Sequence, residues 1–276
     1  MAAAGFDNAD QEARWLAERA SGFDGPELAV ALDEPATQRN TRHFHHMLDR
    51  RLDGEPLQYV MGRWGFRRLD LYLDRRVLIP RPETEVLAGY ALEECERLGA
   101  QVAVDLGTGS GAIALSLVVE RPTLTVWGTD VSEDVLAVAR ANLSALGRAG
   151  ARARLVAGNW FAALPDELRG RVDVAVSNPP YVAEHEVAEL PDEVRRWEPR
   201  HALVAGPSGC EAIERIVSDA PTWLRPTGSL LVELAPHQVS TAQATAKAAG
   251  FASVSVHPDL TGRDRVLLAR RRSGET

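Results

Sequence analysis

Val102-Ala103-Val104-Asp105-Leu106-Gly107-Thr108-Gly109-Ser110-Gly111-Ala112 is the stretch on which the fold turns. An apolar run that reads as a buried strand passes into alternating glycines, and a helix opens at Ala112. Glycine has no Cβ, so the backbone can turn tightly and approach a ligand closely. The helix start adds unpaired N–H groups. Gly107, Gly109 and Ala112 also satisfy a loose G-x-G-x-x-A fingerprint, so a nicotinamide-dependent dehydrogenase fits this stretch equally.

Outward from the loop, strand-like runs fall at 102–106, 124–129, 153–157, 172–177, 229–234, 253–257 and 265–270. Helical patterns separate the first several, including 132–146 behind the cap residue Ser132 and 208–224 ahead of Pro226. Such alternation predicts a doubly wound, mostly parallel sheet. Upstream, a helix is expected from Pro82 to near Gly99. Residues 62–80 read as a hairpin linker, with strands around Phe66, Leu69, Leu71 and Leu73 and another at Val77–Ile79. Residues 1–61 read as a small helical bundle. Ala13, Leu16, Ala17 and Ala20 share one helix face, and Phe44, Met47, Leu48 and Leu52 another.

Three positions beyond the loop suggest ligand chemistry. Asp130 ends the second strand, where an acid can accept both ribose hydroxyls of an adenosine. Trp160, after the third strand, can stack on an adenine or simply pack in the core. Asp105 stands at the front of the loop. A carboxylate there suits a cationic amino-acid tail and not a pyrophosphate, which favours S-adenosylmethionine over a dinucleotide. The fourth strand ends in Ser177-Asn178-Pro179-Pro180-Tyr181. Two prolines stop the ladder and turn the chain rigidly, presenting an amide, bare carbonyls and an aromatic ring. Such a corner can accept hydrogen bonds from a planar NH2 group. Taken alone, it is equally a Pro-Pro loop with a solvated Asn.

Composition narrows the classes. At 276 residues and 45% apolar, the chain can bury a substantial core. No apolar run approaches the roughly 20 residues needed to cross a bilayer. Ala2–Ala4 are not preceded by a basic segment, so no secretory signal is expected. Cys95 and Cys210 have no metal or redox spacing and are expected as buried free thiols, in keeping with a reducing cytoplasm. His43, His45 and His46 lack i, i+4 spacing and a carboxylate partner, so surface histidines and no metal are expected. The formal charge of -8 argues against a broad nucleic-acid face. Lys247 is the sole lysine among 31 basic residues, a skew of composition, and a local arginine patch remains compatible.

More specific segments flank the glycine loop. Glu55–Gly62 (EPLQYVMG), Phe66 and Val77–Glu85 (VLIPRPETE) precede it. Ser177–Val182 (SNPPYV), Glu198-Pro199 with Ala202-Leu203, and Asp259 with Gly262–Arg265 follow. In this order, with Asp105–Leu115 (DLGTGSGAIAL), they closely resemble the peptide chain release factor N5-glutamine methyltransferases, a class I methyltransferase family. The likeness spans nearly the whole chain and is loosest over residues 1–50.

The resemblance implies a seven-stranded Rossmann-like sheet and action on release factors. The domains are expected at 1–61 (partner binding), 62–80 (linker) and 81–276 (methyl transfer), in a cytoplasmic monomer. The resemblance also implies that Asp105, Gly107, Thr108, Gly109, Ser110, Gly111, Asp130, Trp160 and Asn178 hold S-adenosylmethionine. Asn178 and the Pro179 carbonyl would grip the glutamine amide, with Pro180 and Tyr181 walling its pocket and Arg81 and Glu83 shaping it. Asn159 stands where the family often has an acid, and Leu234–Gln238 replaces a more usual glycine-containing turn.

A carboxamide nitrogen is a poor nucleophile, because its lone pair is delocalised. Two carbonyl acceptors, Asn178 Oδ1 and Pro179 C=O, would orient it and meet the positive charge that develops on it. No metal is needed for this. A nucleic-acid amino methyltransferase, a ribosomal-protein glutamine methyltransferase and a nonenzymatic cofactor-binding scaffold remain alternatives. The acidic balance weighs against the first, and the Arg81–Glu85 segment looks more like the release-factor branch than the second.

Overall fold

The computed structural model describes residue 1 and residues 6–271; Ala2–Ala4 lie outside the described residues. Four helices come first: α1 (Ala9–Ser21), α2 (Pro26–Ala31), α3 (Gln38–Leu52) and α4 (Leu57–Met61). α1, α3 and α4 close on a small core of Leu16, Met47, Leu57 and Val60. Leu52, expected on the apolar face of α3, is 44% exposed, and Arg51 is buried instead. Arg51 repays its burial with charged partners: it bonds Glu12 at 2.7 Å and Glu193 at 2.8 Å. His43, His45 and His46 are exposed.

β1 (Arg63–Phe66) and β2 (Leu69–Tyr72) form the expected antiparallel hairpin. It is more than a linker, because Phe66, Leu69 and Leu71 sit in the main core. Full burial of side chains this size contributes about 1.5–3 kcal/mol each. Val77–Ile79 is not a strand. Val77 and Ile79 are nonetheless buried, and the Tyr59 hydroxyl donates to the Val77 carbonyl at 2.6 Å.

α5 (Pro82–Leu98) starts on a proline, whose missing N–H costs nothing in a first turn, and stops at Gly99 in the left-handed region. Strands and helices then alternate: β3 (Val102–Leu106), α6 (Ala112–Glu120), β4 (Thr125–Asp130), α7 (Glu133–Ser144), β5 (Ala153–Ala157) and β6 (Val172–Ser177). After a short pair β7 (Val182–Ala183) and β8 (Val204–Gly206), with α8 (Asp192–Trp197) and α9 (Arg200–Leu203) between them, come α10 (Glu211–Trp223), β9 (Leu224–Glu233), α11 (Val239–Ala248), β10 (Ser253–Pro258) and β11 (Asp264–Arg270). α10 begins three residues later than expected, because Gly209 at φ +79° cannot join a helix. Cys210 caps it half-buried, not in its interior, whereas Cys95 is buried in α5.

The seven-stranded sheet runs β10-β11-β9-β6-β3-β4-β5. β11 is antiparallel to both neighbours, and the pairs among β9, β6, β3, β4 and β5 are parallel. Side-chain alternation explains the two cores. Ala103, Val174, Val176 and Leu231 face α5, α6 and the hairpin. Val104, Leu106, Ala175, Leu230 and Val232 face α10 and α11. β3 leads rightward to β4 while β6 lies on its other side, so a crevice opens beyond their carboxyl ends.

Candidate active site

The glycine loop fills that crevice. Gly107 N and Thr108 N both donate to the Thr129 carbonyl at 2.8 Å, which pulls the loop against the end of β4. Gly107 has φ +72°, and a Cβ there would meet Trp160 Cζ3 at 2.9 Å. The indole therefore lies directly against glycine backbone, and Trp160 itself adopts φ +47°, an uncommon backbone for a bulky residue. Strain of this kind gathers at ligand sites.

A cavity opens between this loop and the corner after β6. Gly107, Thr108, Gly109, Ser110, Asp130 and Trp160 border it on one side, and Asn178 and Pro180 on the other. Asn159 and His201 also reach it. Asp130 accepts from Gly109 N through Oδ2 and from Ser132 N through Oδ1, each at 3.1 Å. Both oxygens are thereby fixed while keeping further acceptor capacity, the arrangement a vicinal diol needs. Burial pushes the Asp130 carboxyl above its usual range.

Asp105 is not in the cavity wall. It is buried behind the loop, where Oδ2 accepts from the Thr108 hydroxyl at 2.6 Å and from Ala114 N at 3.0 Å. It fastens the loop to the start of α6, and burial pushes its carboxyl up to about 7. Its Oδ1 is buried without a hydrogen-bond partner.

The Asn178–Tyr181 corner is held by three separate parts of the chain. Ser177 Oγ donates to the Leu106 carbonyl at 2.6 Å, locking β6 to β3. Asn178 Nδ2 donates to Thr84 Oγ1 at 3.0 Å, and Thr84 Oγ1 donates to Glu233 Oε2 at 2.8 Å. Asn178 Oδ1 is buried with no partner. Gln238 Nε2 donates to the Tyr181 carbonyl. The Leu234–Gln238 departure from a glycine turn is thus a short 3-10 turn whose buried last residue braces the corner.

A smaller cavity adjoins the first. Asn178 borders both, and Arg81, Pro179, Tyr181 and Leu203 border the smaller one. Burial pushes the Tyr181 phenol up to about 12. Arg81 is paired with Glu198, whose Oε2 accepts from Ile79 N at 3.2 Å. Burial pushes the Glu198 carboxyl up against the pull of Arg81. Glu83 borders neither cavity; its nearest cation is Arg263, 3.9 Å away. The neighbouring residue Thr84 does reach the larger cavity. Sequence reading missed Thr84, Glu233, Gln238 and Glu198 as participants. The IPRPETE segment had drawn attention to its charges, and a threonine hydroxyl in a helix start carries no spacing signal.

A seven-stranded sheet of this order, with a glycine loop facing an Asn-Pro-Pro-Tyr corner, is a class I, Rossmann-like methyltransferase fold. Solved structures agree on the fold: the hMettl16 catalytic domain superposes with a TM-score of 0.61 at 18% identity over 79% of each chain. A methyltransferase from Pyrococcus furiosus does so at 0.54 and 20% identity, over 83% of this chain and 99% of that one. The PrmC N-terminal domain family matches residues 1–62, and the Methyltransferase small domain family residues 87–192. A release factor glutamine methyltransferase of Cereibacter sphaeroides is 42% identical, over 98% of this chain and 94% of its own. One of Moorella thermoacetica is 39% identical, over 99% and 95%. The chain belongs to the release factor glutamine methyltransferase family.

Proposed function

We propose that this chain methylates the side-chain nitrogen (N5) of the glutamine in the Gly-Gly-Gln loop of peptide chain release factors, with S-adenosylmethionine as donor. One observation carries the reading. Asn178 stands between the two cavities with its NH2 engaged by Thr84 and its buried Oδ1 unpartnered. A buried acceptor without a donor is costly. A substrate NH2 would relieve that cost.

Gly107–Gly111 would hold the donor's amino-acid end, with Asp105 shaping the loop from behind. Asp130 would take the ribose hydroxyls, and Trp160 would line the adenine side. When bound, S-adenosylmethionine supplies a methyl group on a sulfonium. Asn178 Oδ1 and the Pro179 carbonyl accept the two N–H bonds of the substrate amide and aim its nitrogen. Their dipoles also face the positive charge that grows there during transfer, so they act mainly in the transition state. Tyr181 and Arg81 wall the smaller cavity, which receives the glutamine side chain.

Residues 1–61 supply contact with the release factor on this reading, and residues 62–276 supply the chemistry. The small core shared by α1, α3 and α4, and the membership of the hairpin in the main core, support a division there. Deleting residues 1–55 should then impair methylation of intact release factor while the remaining core still folds.

The test is to incubate the protein with methyl-labelled S-adenosylmethionine and, separately, release factor, ribosomal protein or nucleic acid, and to map the label by mass. Label on the Gly-Gly-Gln glutamine is expected. Label only on nucleic acid or on a ribosomal protein overturns the assignment.

A further inference from the structure

Asn178 can do what the preceding reading asks only if its amide is the right way round. The two ends of a carboxamide are nearly equal in size, and a half-turn exchanges an acceptor for a donor. We propose that Thr84 and Glu233 are positioning residues that set this orientation, so that Asn178 presents an oxygen to the substrate. The inference rests on the methylation reading for its functional half and on hydrogen-bond chemistry for the rest.

A threonine hydroxyl has a single hydrogen. Here Thr84 Oγ1 lies 2.8 Å from Glu233 Oε2, and Asn178 Nδ2 lies 3.0 Å from Thr84 Oγ1. Above about pH 7, where Glu233 is ionised, its carboxylate only accepts, so the hydroxyl hydrogen goes to Glu233. What remains on Thr84 Oγ1 is lone pairs. Those can receive Asn178 Nδ2–H but repel Asn178 Oδ1. The amide therefore turns its nitrogen to Thr84 and leaves Oδ1 unpartnered. Were the carboxylate absent, the hydroxyl could donate to Asn178 instead, and a flipped amide would offer N–H bonds to another N–H donor.

Placement supports a device of this sort. Thr84 is on the first turn of α5, Asn178 follows β6 and Glu233 ends β9, so three elements converge on one hydroxyl. Thr84 and Glu233 are both buried, at 4% and 1% exposure, so water does not compete for the shared oxygen. Glu233 borders neither cavity, which leaves it no direct contact with ligand.

Two readouts test the proposal on the full chain. In asparagine-labelled protein, the Asn178 side-chain NH2 pair is the nitrogen–proton signal lost in Asn178→Ala. Thr84→Val should shift that pair and speed its hydrogen exchange about tenfold or more, and Thr84→Ser, which restores the hydroxyl, should keep it in place. An unmoved pair in folded Thr84→Val overturns the proposal whatever the substrate is. The second readout is turnover on release factor. Thr84→Val should lower kcat about tenfold, with S-adenosylhomocysteine affinity kept within about threefold, and Thr84→Ser should recover most of it. Added to Asn178→Ala, Thr84→Val should cost nothing further, because it acts through the residue already removed. Multiplying losses in the double variant overturn the positioning role. Absence of any transfer by the wild type, with the signal behaving as expected, overturns the methylation reading alone.

Discussion

Gln238 donates from Nε2 to the Tyr181 carbonyl at 2.8 Å and to the Gly209 carbonyl at 2.9 Å, tying the segment after β9 to the corner after β6. Its Oε1 accepts from Ala235 N at 3.0 Å, so all the capacity of this amide that the corner needs is spent on backbone. Gln238→Leu would strand these partners in a buried site. The expected cost is about 2–3 kcal/mol by chemical denaturation. Methyl transfer should also fall several-fold while cofactor affinity holds, because Tyr181 loses its brace. Unchanged stability would refute the bracing role.

Asn178→Ala removes the unpartnered acceptor that joins the two cavities. Turnover should drop about tenfold or more. Binding of S-adenosylhomocysteine, followed by calorimetry, should change little, since the glycine loop and Asp130 remain. Near-wild-type methylation would end the role proposed for this residue.

Gly107→Ala puts a Cβ 2.9 Å from Trp160 Cζ3 at a φ of +72°. Both the strain and the displaced indole act on the cofactor side of the site. Cofactor affinity should weaken about tenfold or more, which corresponds to about 1.4 kcal/mol. Turnover at saturating cofactor should suffer less. An affinity equal to wild type would show that the loop tolerates a side chain there.

The pH dependence of stability follows from two buried acids. Burial pushes Glu233 up to about 7, against the hydrogen bond from Thr84 and the charges of Arg265 and Arg81, with Glu83 adding to the rise. Burial does the same for Asp105. An unfolded glutamate ionises near pH 4.3, so between about pH 4.5 and 7 the folded protein keeps protons that the unfolded chain has shed. Stability is therefore fully present below that window and declines as pH rises through 7, by on the order of 3 kcal/mol per group.

Glu94 runs the other way. Its own burial is outweighed by Arg270, Arg97 and Ser229, which hold it at about 2, so its contribution is lost only as pH falls below about 4.5. Urea unfolding from pH 5 to 8 should thus show a falling curve, and Glu233→Gln should take away about half of the fall, leaving the share of Asp105. An equal slope in that variant would contradict the assignment.

Much of this architecture was legible locally. The apolar runs at Val102–Leu106 and Val172–Ser177, a proline at the head of α5 and a glycine at its end are properties of neighbouring residues. Local sterics act the same way wherever the chain goes. The exceptions were instructive. Val77–Ile79 is as apolar as a strand, yet no partner strand lies beside it, and pairing is not a local property. Leu52 completes a helical stripe on paper, but the charges of Glu12 and Glu193 converge on Arg51 and bury that position instead.

By itself the sequence determined the strand and helix order, the glycine loop, the rigid corner at Asn178–Tyr181 and the family resemblance. The tertiary structure alone decided what the corner's atoms face. Thr84 meets Asn178 across 94 residues and Glu233 across 149, and Arg81 meets Glu198 across 117. Hydrogen bonds act over about 3 Å and are blind to sequence distance, so which donor finds which acceptor is settled only when the sheet closes. That closure placed Asp105 behind the glycine loop and not in its cavity. It also left Asn178 Oδ1, among the corner's side-chain polar atoms, buried and unpartnered.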